Sequence, residues 1–210
     1  MLPSEKEICQ RLQISRMTVK QAMDSLVNEG LVYRKRGIGT FVAKPKIAQP
    51  LSKLTSFTND MLKRGMKPGS HLIEMSLQNP SEEVREKLGL GQQEQVIYIK
   101  RLRTADGEPM AVEKAYLNYD YCHEIMDVPL NRVSLYDLLR DVCGIHLVSA
   151  YETIEIGTCS TDESNLMKIG FDKPIFLLRR TTCDKLDRII EYAESVYRSD
   201  RYKFEIELKM

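Results

Sequence analysis

Two helix-start signals lie close together near the beginning of the chain, and they strongly limit what this segment can fold into. Ser4 opens a capping box, because its hydroxyl can accept from the amide of Glu7 while the Glu7 carboxylate reaches back. Ser15 is a favourable N-cap for a second helix, which Gly30 ends. Apolar residues recur at helical spacing in this second helix: Val19, Ala22, Met23 and Leu26. Residues 31–43 then predict a two-stranded ribbon.

Charge is distributed unevenly along the chain, although its net value is only +1. Residues 1–46 carry nine basic and four acidic side chains, a net charge of +5, whereas residues 47–210 carry a net charge of −4. Arg34, Lys35 and Arg36 form the tip of the predicted ribbon. Two short helices followed by a basic ribbon can bind duplex DNA, with the second helix in the major groove. From this pattern alone, a helix pair with solvated charges remains the alternative.

The segment 44–50 separates this basic region from the rest of the chain. It contains Pro45 and Pro50 and has no periodicity, which is typical of a linker. We therefore predict three parts: a DNA-binding domain over 1–43, a linker over 44–50, and a second domain over 51–210.

Composition excludes several classes of protein. No apolar run approaches the length of a membrane span, and acidic residues stand where a secretion signal needs an apolar core. The five cysteines form no CxxC pair, which favours reduced thiols and a cytoplasmic location. Cys143 and His146 lack further ligands for zinc, and no cofactor fingerprint appears. We predict no metal, no cofactor and no membrane partner.

The predicted second domain alternates strand hairpins with short helices. Helices are expected at 54–65, 81–88, 134–143 and 161–169, and strands at 70–77, 95–104, 109–117, 148–157, 174–183, 189–198 and 203–208. Asp106-Gly107 is a strong hairpin turn between two of these strands. Hairpins with interspersed helices indicate an α+β fold with a mainly antiparallel sheet.

Period-two alternation places charged and polar side chains together on one face of each of two predicted strands. One face carries Ile97, Ile99, Arg101 and Arg103, and another carries Glu191, Ala193, Ser195 and Tyr197. Paired guanidinium groups suit one anion, and a carboxylate with a phenol suits hydroxyl or amino groups. The alternative left open is that the two arginines pair with surface acids such as Glu113 across the hairpin.

Residues 1–43 resemble the DNA-binding domain of GntR-type bacterial regulators, through the segments LPSEKEI, ISRMTVKQAMDSLVNEGLV and RKRGIGTFV. The resemblance implies a winged helix-turn-helix whose Arg16 contacts base edges and whose Ser15 and Thr18 contact phosphates. Lys6 takes a position usually held by arginine, and Gly37 matches the glycine at the wing tip, near the minor groove. Family members carry a further helix before LPSE. Because this chain begins at Met1, we expect an incomplete domain in which Ile8, Val19 and Leu26 lose part of their cover.

Residues 51–210 resemble the UTRA effector domain of the HutC subfamily of GntR regulators, which has a chorismate-lyase-like fold. The segments LTSFTNDM, YIKRLRTADGEPMAVEKAYL, SLYDLL and IIEYAESVYRSDRYKFEIEL carry this resemblance. It is nearest to the repressors of N-acetylglucosamine utilisation, whose effectors are amino-sugar phosphates. It implies that Phe57, Thr58, Arg101, Arg103 and Ser134 hold the phosphate. It also implies that Glu113, Glu191 and Tyr197 contact the sugar.

The sequence therefore predicts a non-enzymatic transcriptional repressor. We expect a homodimer that binds a palindromic operator, with the second domain supplying the dimer contact and a sugar phosphate such as glucosamine 6-phosphate modulating DNA binding. Another sugar phosphate or small anionic metabolite is the alternative effector. A chorismate-lyase-like enzyme is the alternative class, although no paired general acid and base is visible.

Overall fold

The computed structural model describes residues 1–131, 133–170 and 173–208. Its contacts divide the chain into two units, residues 1–47 and residues 48–210. The division falls within a short strand, β3 (Ile47–Pro50), which occupies the second half of the segment predicted as a linker. Of the predicted domain over 51–210, residues 132, 171, 172, 209 and 210 lie outside the described part.

The first unit contains two helices followed by a β-hairpin. Its elements are α1 (Glu5–Leu12), α2 (Arg16–Asn28), β1 (Val32–Lys35) and β2 (Gly39–Val42). Both predicted caps are present. The Ser4 hydroxyl accepts from the Glu7 amide at 3.3 Å, and the Glu7 carboxylate accepts from the Ser4 amide at 2.7 Å. The Ser15 hydroxyl accepts from the Thr18 amide at 3.1 Å, so helix α2 begins where the sequence predicts.

A small apolar core holds the first unit together. Val19 and Met23 of α2 and Val32 of β1 are buried together, so α2 packs directly on the first strand of the hairpin. The expectation that Val19 loses cover is wrong, because Met23 and Val32 enclose it to 2% exposure. Ile8 and Leu26 are partly buried and pack against this cluster.

The second unit is a six-stranded antiparallel sheet with helices on both faces. The sheet has the order β4-β5-β6-β9-β8-β7, and β3 and β10 form a separate two-stranded sheet. Its strands after β3 are β4 (Pro68–Gln78), β5 (Val96–Ala105), β6 (Glu108–Asn118), β7 (Leu147–Thr158), β8 (Pro174–Asp184), β9 (Ile189–Arg198) and β10 (Tyr202–Glu205). Its helices are α3 (Phe57–Lys63), α4 (Glu82–Leu88), α5 (Tyr119–Cys122), α6 (Leu135–Asp141) and α7 (Thr161–Met167). A 3₁₀ helix, His123–Asp127, follows α5. The α+β class and the antiparallel sheet are confirmed.

Every predicted strand of this unit is present, and the predicted helices are present but mostly shorter. The helix expected at 54–65 spans only Phe57–Lys63, because Ser56 caps it and accepts from the Asn59 amide at 3.2 Å. Sequence analysis missed β3, α5 and the 3₁₀ helix. Each of these elements has only four or five residues, which is too short to show a periodic apolar pattern.

One face of the sheet is divided between an apolar half and a charged half. Ile97 and Ile99 pack under Leu135 and Leu139 of α6 in the main core of this unit. Further along β5, Arg101 and Arg103 continue the same face, as the alternation predicts. On the other face, α4 packs around Tyr192 and Val96, and α7 packs around Val112 and Val196. Helix α6 therefore covers the apolar half of this face, and the charged half begins beside it.

None of the helices in the described ranges has the length and apolar character that crossing a lipid bilayer requires.

We predict that Leu139→Ala lowers the free energy of unfolding of the second unit by about 2–5 kcal/mol. Leu139 is fully buried in the core that joins α6 to the sheet, so the shorter side chain leaves a cavity. Urea denaturation followed by far-UV circular dichroism measures the change. Leu62→Ala is the control, because Leu62 is 58% exposed, and a similar loss in both variants would contradict this assignment of the core.

Candidate functional site

A cavity of about 330 Å³ lies over the charged half of the sheet in the second unit. The segment 52–56 and the first residues of α3 and α6 line one side. Strands β5 to β9 line the floor with the charged and aromatic side chains Arg101, Arg103, Glu113, Glu152, Arg180, Glu191 and Tyr197. All four of the charged residues predicted on β5, β6 and β9 therefore share one cavity, because β6 pairs with both β5 and β9.

Arg101 and Glu113 form an ion pair across the β5–β6 hairpin. The two residues are directly opposite in the strand register, and Nε of Arg101 donates to Oε1 of Glu113 at 3.0 Å. Nη2 of Arg101 donates to the same oxygen. Arg101 is only 2% exposed. The alternative pairing with Glu113 is thus present, but it is a buried pair within the cavity and not a surface pair.

Arg103 joins the strand to the start of helix α3. Its Nη2 donates to Oγ1 of Thr58 at 2.9 Å, and its guanidinium carbon lies 4.7 Å from the centre of the Phe57 ring. Its Nη1 lies 3.8 Å from Oε1 of Glu113. The fold therefore brings Phe57 and Thr58 to Arg103 across 45 residues of sequence.

The two guanidinium groups keep unused hydrogen-bonding capacity. Within the described part of the chain, buried Nη1 of Arg101 and buried Nε of Arg103 have no hydrogen-bond partner. Burial and the neighbouring charge of Arg101 lower the pKa of Arg103 to about 10, so Arg103 stays charged at neutral pH. Burial alone would raise the pKa of Glu113, but Arg101 and Arg103 together hold it below its usual value. The two arginines are therefore buried and charged, and one nitrogen of each lacks an acceptor among the described residues.

Two capping serines lie side by side at the rim of the cavity. Oγ of Ser134 donates to Oγ of Ser56 at 3.2 Å and accepts from the Asp137 amide at 3.3 Å, which caps α6. Ser56 caps α3 and lines the cavity. Ser134 thus lies beside the start of α3, the helix that carries Thr58. It contacts the lining residue Ser56 but does not itself line the cavity.

A second polar network in the cavity surrounds Glu191, and sequence analysis predicted Glu191 but missed its partners. The hydroxyl groups of Tyr136 and Thr182 donate to Oε2 of Glu191 at 2.8 Å and 3.0 Å. Nη1 of Arg180 donates to the Tyr136 oxygen at 3.4 Å, and its Nε donates to Oε1 of Glu152 at 2.9 Å. Arg180 and Glu152 are directly opposite on β8 and β7. The pairing of β7 with β8 brings both residues to the site. The period-two alternation of β8 was the one sequence signal that could have indicated on which face of the sheet Arg180 lies.

Glu191 and Tyr197 have the environment of ligand-binding groups. Burial and the nearby charge of Glu113 raise the pKa of Glu191, so a cationic group beside it would stabilise the carboxylate. Tyr197 lines the cavity and packs edge-to-face on Tyr202, with ring centres 4.8 Å apart. This packing fixes the phenol ring against the charged floor.

No group of three or more His, Cys, Asp or Glu side chains able to hold a metal ion occurs among residues 1–131, 133–170 and 173–208.

In the first unit, the predicted DNA-contacting residues cluster at helix starts and at the hairpin turn. Arg16 is exposed and is the first residue of α2, directly after the cap at Ser15. Oγ of Ser15 and Oγ1 of Thr18 lie 2.9 Å apart, so both hydroxyl groups are at the same helix end. Lys6 is exposed on α1. Gly37 has φ +74°, a conformation that favours glycine at the tip of the hairpin.

Comparison with known proteins decides the family. Residues 63–203 match the UTRA domain, and residues 1–42 match the gntR family of bacterial regulatory proteins. The chain belongs to the GntR family. It is similar to the HTH-type transcriptional repressor NagR of Bacillus subtilis, with 42% identity over 97% of this chain and 83% of that protein. It is also similar to the repressor PhnF of Mycolicibacterium smegmatis, with 33% identity over 96% of this chain and 82% of that protein.

The fold agrees with that of a solved GntR regulator. The crystal structure of PhnF from Mycobacterium smegmatis matches with a TM-score of 0.74 and 31% identity, over 99% of this chain and 91% of that chain. The protein is thus a transcription regulator of the GntR family, HutC type, with a helix-turn-helix region that binds operator DNA and a UTRA domain that contains the cavity.

We predict that Glu113→Gln destabilises this regulator by about 3 kcal/mol, because it leaves two buried guanidinium groups without their counter-charge. Inorganic phosphate should then raise the melting temperature of the variant more than that of the wild type, since the anion replaces the missing carboxylate.

Differential scanning fluorimetry with and without phosphate measures both effects. The control is Glu155→Gln, whose carboxylate pairs with Arg179 on the surface and should matter little. Equal phosphate responses in the wild type and Glu113→Gln would show that the arginines do not form an anion site.

Proposed function

We propose that this regulator is a homodimeric, non-enzymatic repressor whose operator binding is modulated by a phosphorylated amino sugar such as glucosamine 6-phosphate. The observation that carries the effector assignment is the pair of buried, unpartnered guanidinium nitrogens, Nη1 of Arg101 and Nε of Arg103, in one cavity of the described chain. Buried donors without a partner are costly, and an oxyanion bound beside the two arginines would supply acceptors for them.

The size and chemistry of the anion end favour a phosphate group. Arg103 donates to the Thr58 hydroxyl at the start of α3, Arg101 lines the same cavity, and Ser56 and Ser134 form a hydrogen-bonded pair of hydroxyl groups at the caps of α3 and α6. A phosphate dianion has three terminal oxygens for such donors and balances two positive charges, whereas a single carboxylate has two oxygens and one charge.

The carboxylates of the cavity that do not pair with Arg101 favour a polar group with positive charge. Glu191 is a buried carboxylate with a raised pKa, and Glu152 is a second carboxylate on the same floor. An ammonium or hydroxyl group of a sugar can bind between such acceptors, and the Tyr197 ring offers a flat wall for the sugar. A cavity of about 330 Å³ is at the lower end of the usual range for small-molecule sites, which suits a monosaccharide phosphate.

For the DNA side, we propose that α2 enters the major groove by its first turn. Arg16 then contacts base edges, Ser15 and Thr18 contact phosphates together with Lys6, and Gly37 approaches the minor groove. Two such units in a homodimer fit the two halves of a palindromic operator. The relatives NagR and PhnF are both named as transcriptional repressors, which supports repression as the outcome.

The coupling between the two activities follows from linkage. The effector releases the operator only if it binds more tightly to the arrangement of the dimer that fits DNA poorly. Operator DNA must then weaken effector binding by the same factor.

We predict that glucosamine 6-phosphate lowers operator affinity by about tenfold or more, a coupling of 1–3 kcal/mol being typical. Fluorescence anisotropy of the operator complex measures this effect, with glucosamine and glucose 6-phosphate as matched controls that lack the phosphate and the amine. A response to glucose 6-phosphate alone would change the effector to another sugar phosphate. No response to any phosphorylated compound would refute the anion site as an effector site.

We predict that Arg103→Ala abolishes the effector response and leaves operator affinity nearly unchanged, because Arg103 lies in the cavity. Arg16→Ala should do the opposite and cost about 1–3 kcal/mol of operator binding for the lost base contact. Anisotropy titrations of both folded variants test this division of labour, which equal damage to both activities would contradict.

A further inference from the structure

The basic tip of the hairpin in the first unit does not present its charges in one direction. Val32 and Arg34 share one face of β1, and Val32 is buried against Val19 and Met23 of α2. This places the Arg34 side chain on the face of the hairpin that packs against the helices. Lys35 lies on the opposite face, where its Nζ is 5.7 Å from the centre of the Phe41 ring.

Arg34 contacts acidic side chains of both helices. Its Nη1 donates to Oδ1 of Asp24 on α2 at 2.6 Å, and its Nη2 donates to Oε1 of Glu5 on α1 at 3.4 Å. One guanidinium group thus bridges the hairpin, the first helix and the recognition helix. The planar fork of arginine allows two such contacts in different directions, which a lysine could not make with the same geometry.

These contacts define the angle between the hairpin and the recognition helix. The apolar core fixes where β1 rests on α2 through Val32, and the Leu2 amide donates to the Thr40 carbonyl at 2.7 Å, which ties β2 to the segment before α1. The Arg34 bridge acts two residues further along β1 than Val32, nearer to the tip, and joins that end of the hairpin to both helices. Angle matters here because α2 and the hairpin tip must reach DNA together.

We propose that Arg34 is a positioning residue for DNA binding, which holds the wing against α1 and α2 and does not itself contact a phosphate. It acts through Asp24 and Glu5. The ribbon tip then carries fewer DNA-contacting charges than its sequence of three consecutive basic residues indicates.

The test uses the full-length protein and a DNA duplex selected from a random pool by the wild type. Failure of this selection would count against DNA binding as such, and it would be seen before any variant of Arg34 is made. On the selected duplex, Arg34→Ala should weaken binding by about three- to tenfold, because two exposed ion pairs are lost and the wing is less well placed.

Asp24→Asn gives opposite expectations for a positioning residue and a phosphate ligand. If Arg34 is held in place by Asp24, removal of the carboxylate charge weakens DNA binding, and the double variant is no weaker than Arg34→Ala alone. If Arg34 is a phosphate ligand, the same change releases it and strengthens binding. Glu29→Gln is the matched control, since it removes the same charge at the C-cap of α2, where the Glu29 carboxylate accepts from the Ser25 hydroxyl.

The salt dependence of binding provides a second, independent readout. Loss of a phosphate contact reduces the slope of log affinity against log salt by about one, whereas loss of a positioning residue leaves the slope unchanged. We expect Arg34→Ala to keep the wild-type slope and the wild-type melting temperature within a few degrees. A slope reduced by about one, tighter binding by Asp24→Asn than by Glu29→Gln, or additive effects in the double variant would each overturn the proposal.

Discussion

The buried contact among Arg101, Glu113 and Arg103 organises the candidate site of the second unit. One carboxylate sits against two guanidinium groups, with oxygen to nitrogen separations of 3.0 Å for Nε of Arg101 and 3.8 Å for Nη1 of Arg103. Burying these charges is tolerable only because they compensate each other. Within this group the compensation is incomplete, since two positive groups face one negative group, and the proposed effector phosphate would offset this local excess.

The candidate site is assembled from distant parts of the chain. The strands supply charge, and the starts of α3 and α6 supply hydroxyl groups from Thr58, Ser56 and Ser134. Arg180 and Glu152 add a second ion pair from β8 and β7. The floor of the cavity therefore depends on the pairing of strands β5 to β9.

In the DNA-binding unit, the residues that stabilise the fold and the residues proposed to contact DNA are separate. A small buried core stabilises the unit, and the proposed DNA contacts are exposed. Val19, Met23 and Val32 join the recognition helix to the hairpin. Hydroxyl groups and arginine at the start of α2 stay exposed. Ion pairs on such a surface contribute little to stability, but they can set geometry, and Arg34 is best understood in that way.

The order of the longer helices and strands, the caps at Ser4 and Ser15, and the shared face of Arg101 and Arg103 were predictable from the chain alone, because they depend on local hydrogen bonds and on residue periodicity. The GntR and UTRA resemblance was also visible there, and the comparisons confirm it. The folded structure was needed to show that Glu113 pairs inside the cavity, that Arg180 and Tyr136 join the site, and that Arg34 faces the helices. Those contacts depend on which strands become neighbours and how elements pack, and residues far apart in sequence carry no local signal of that pairing.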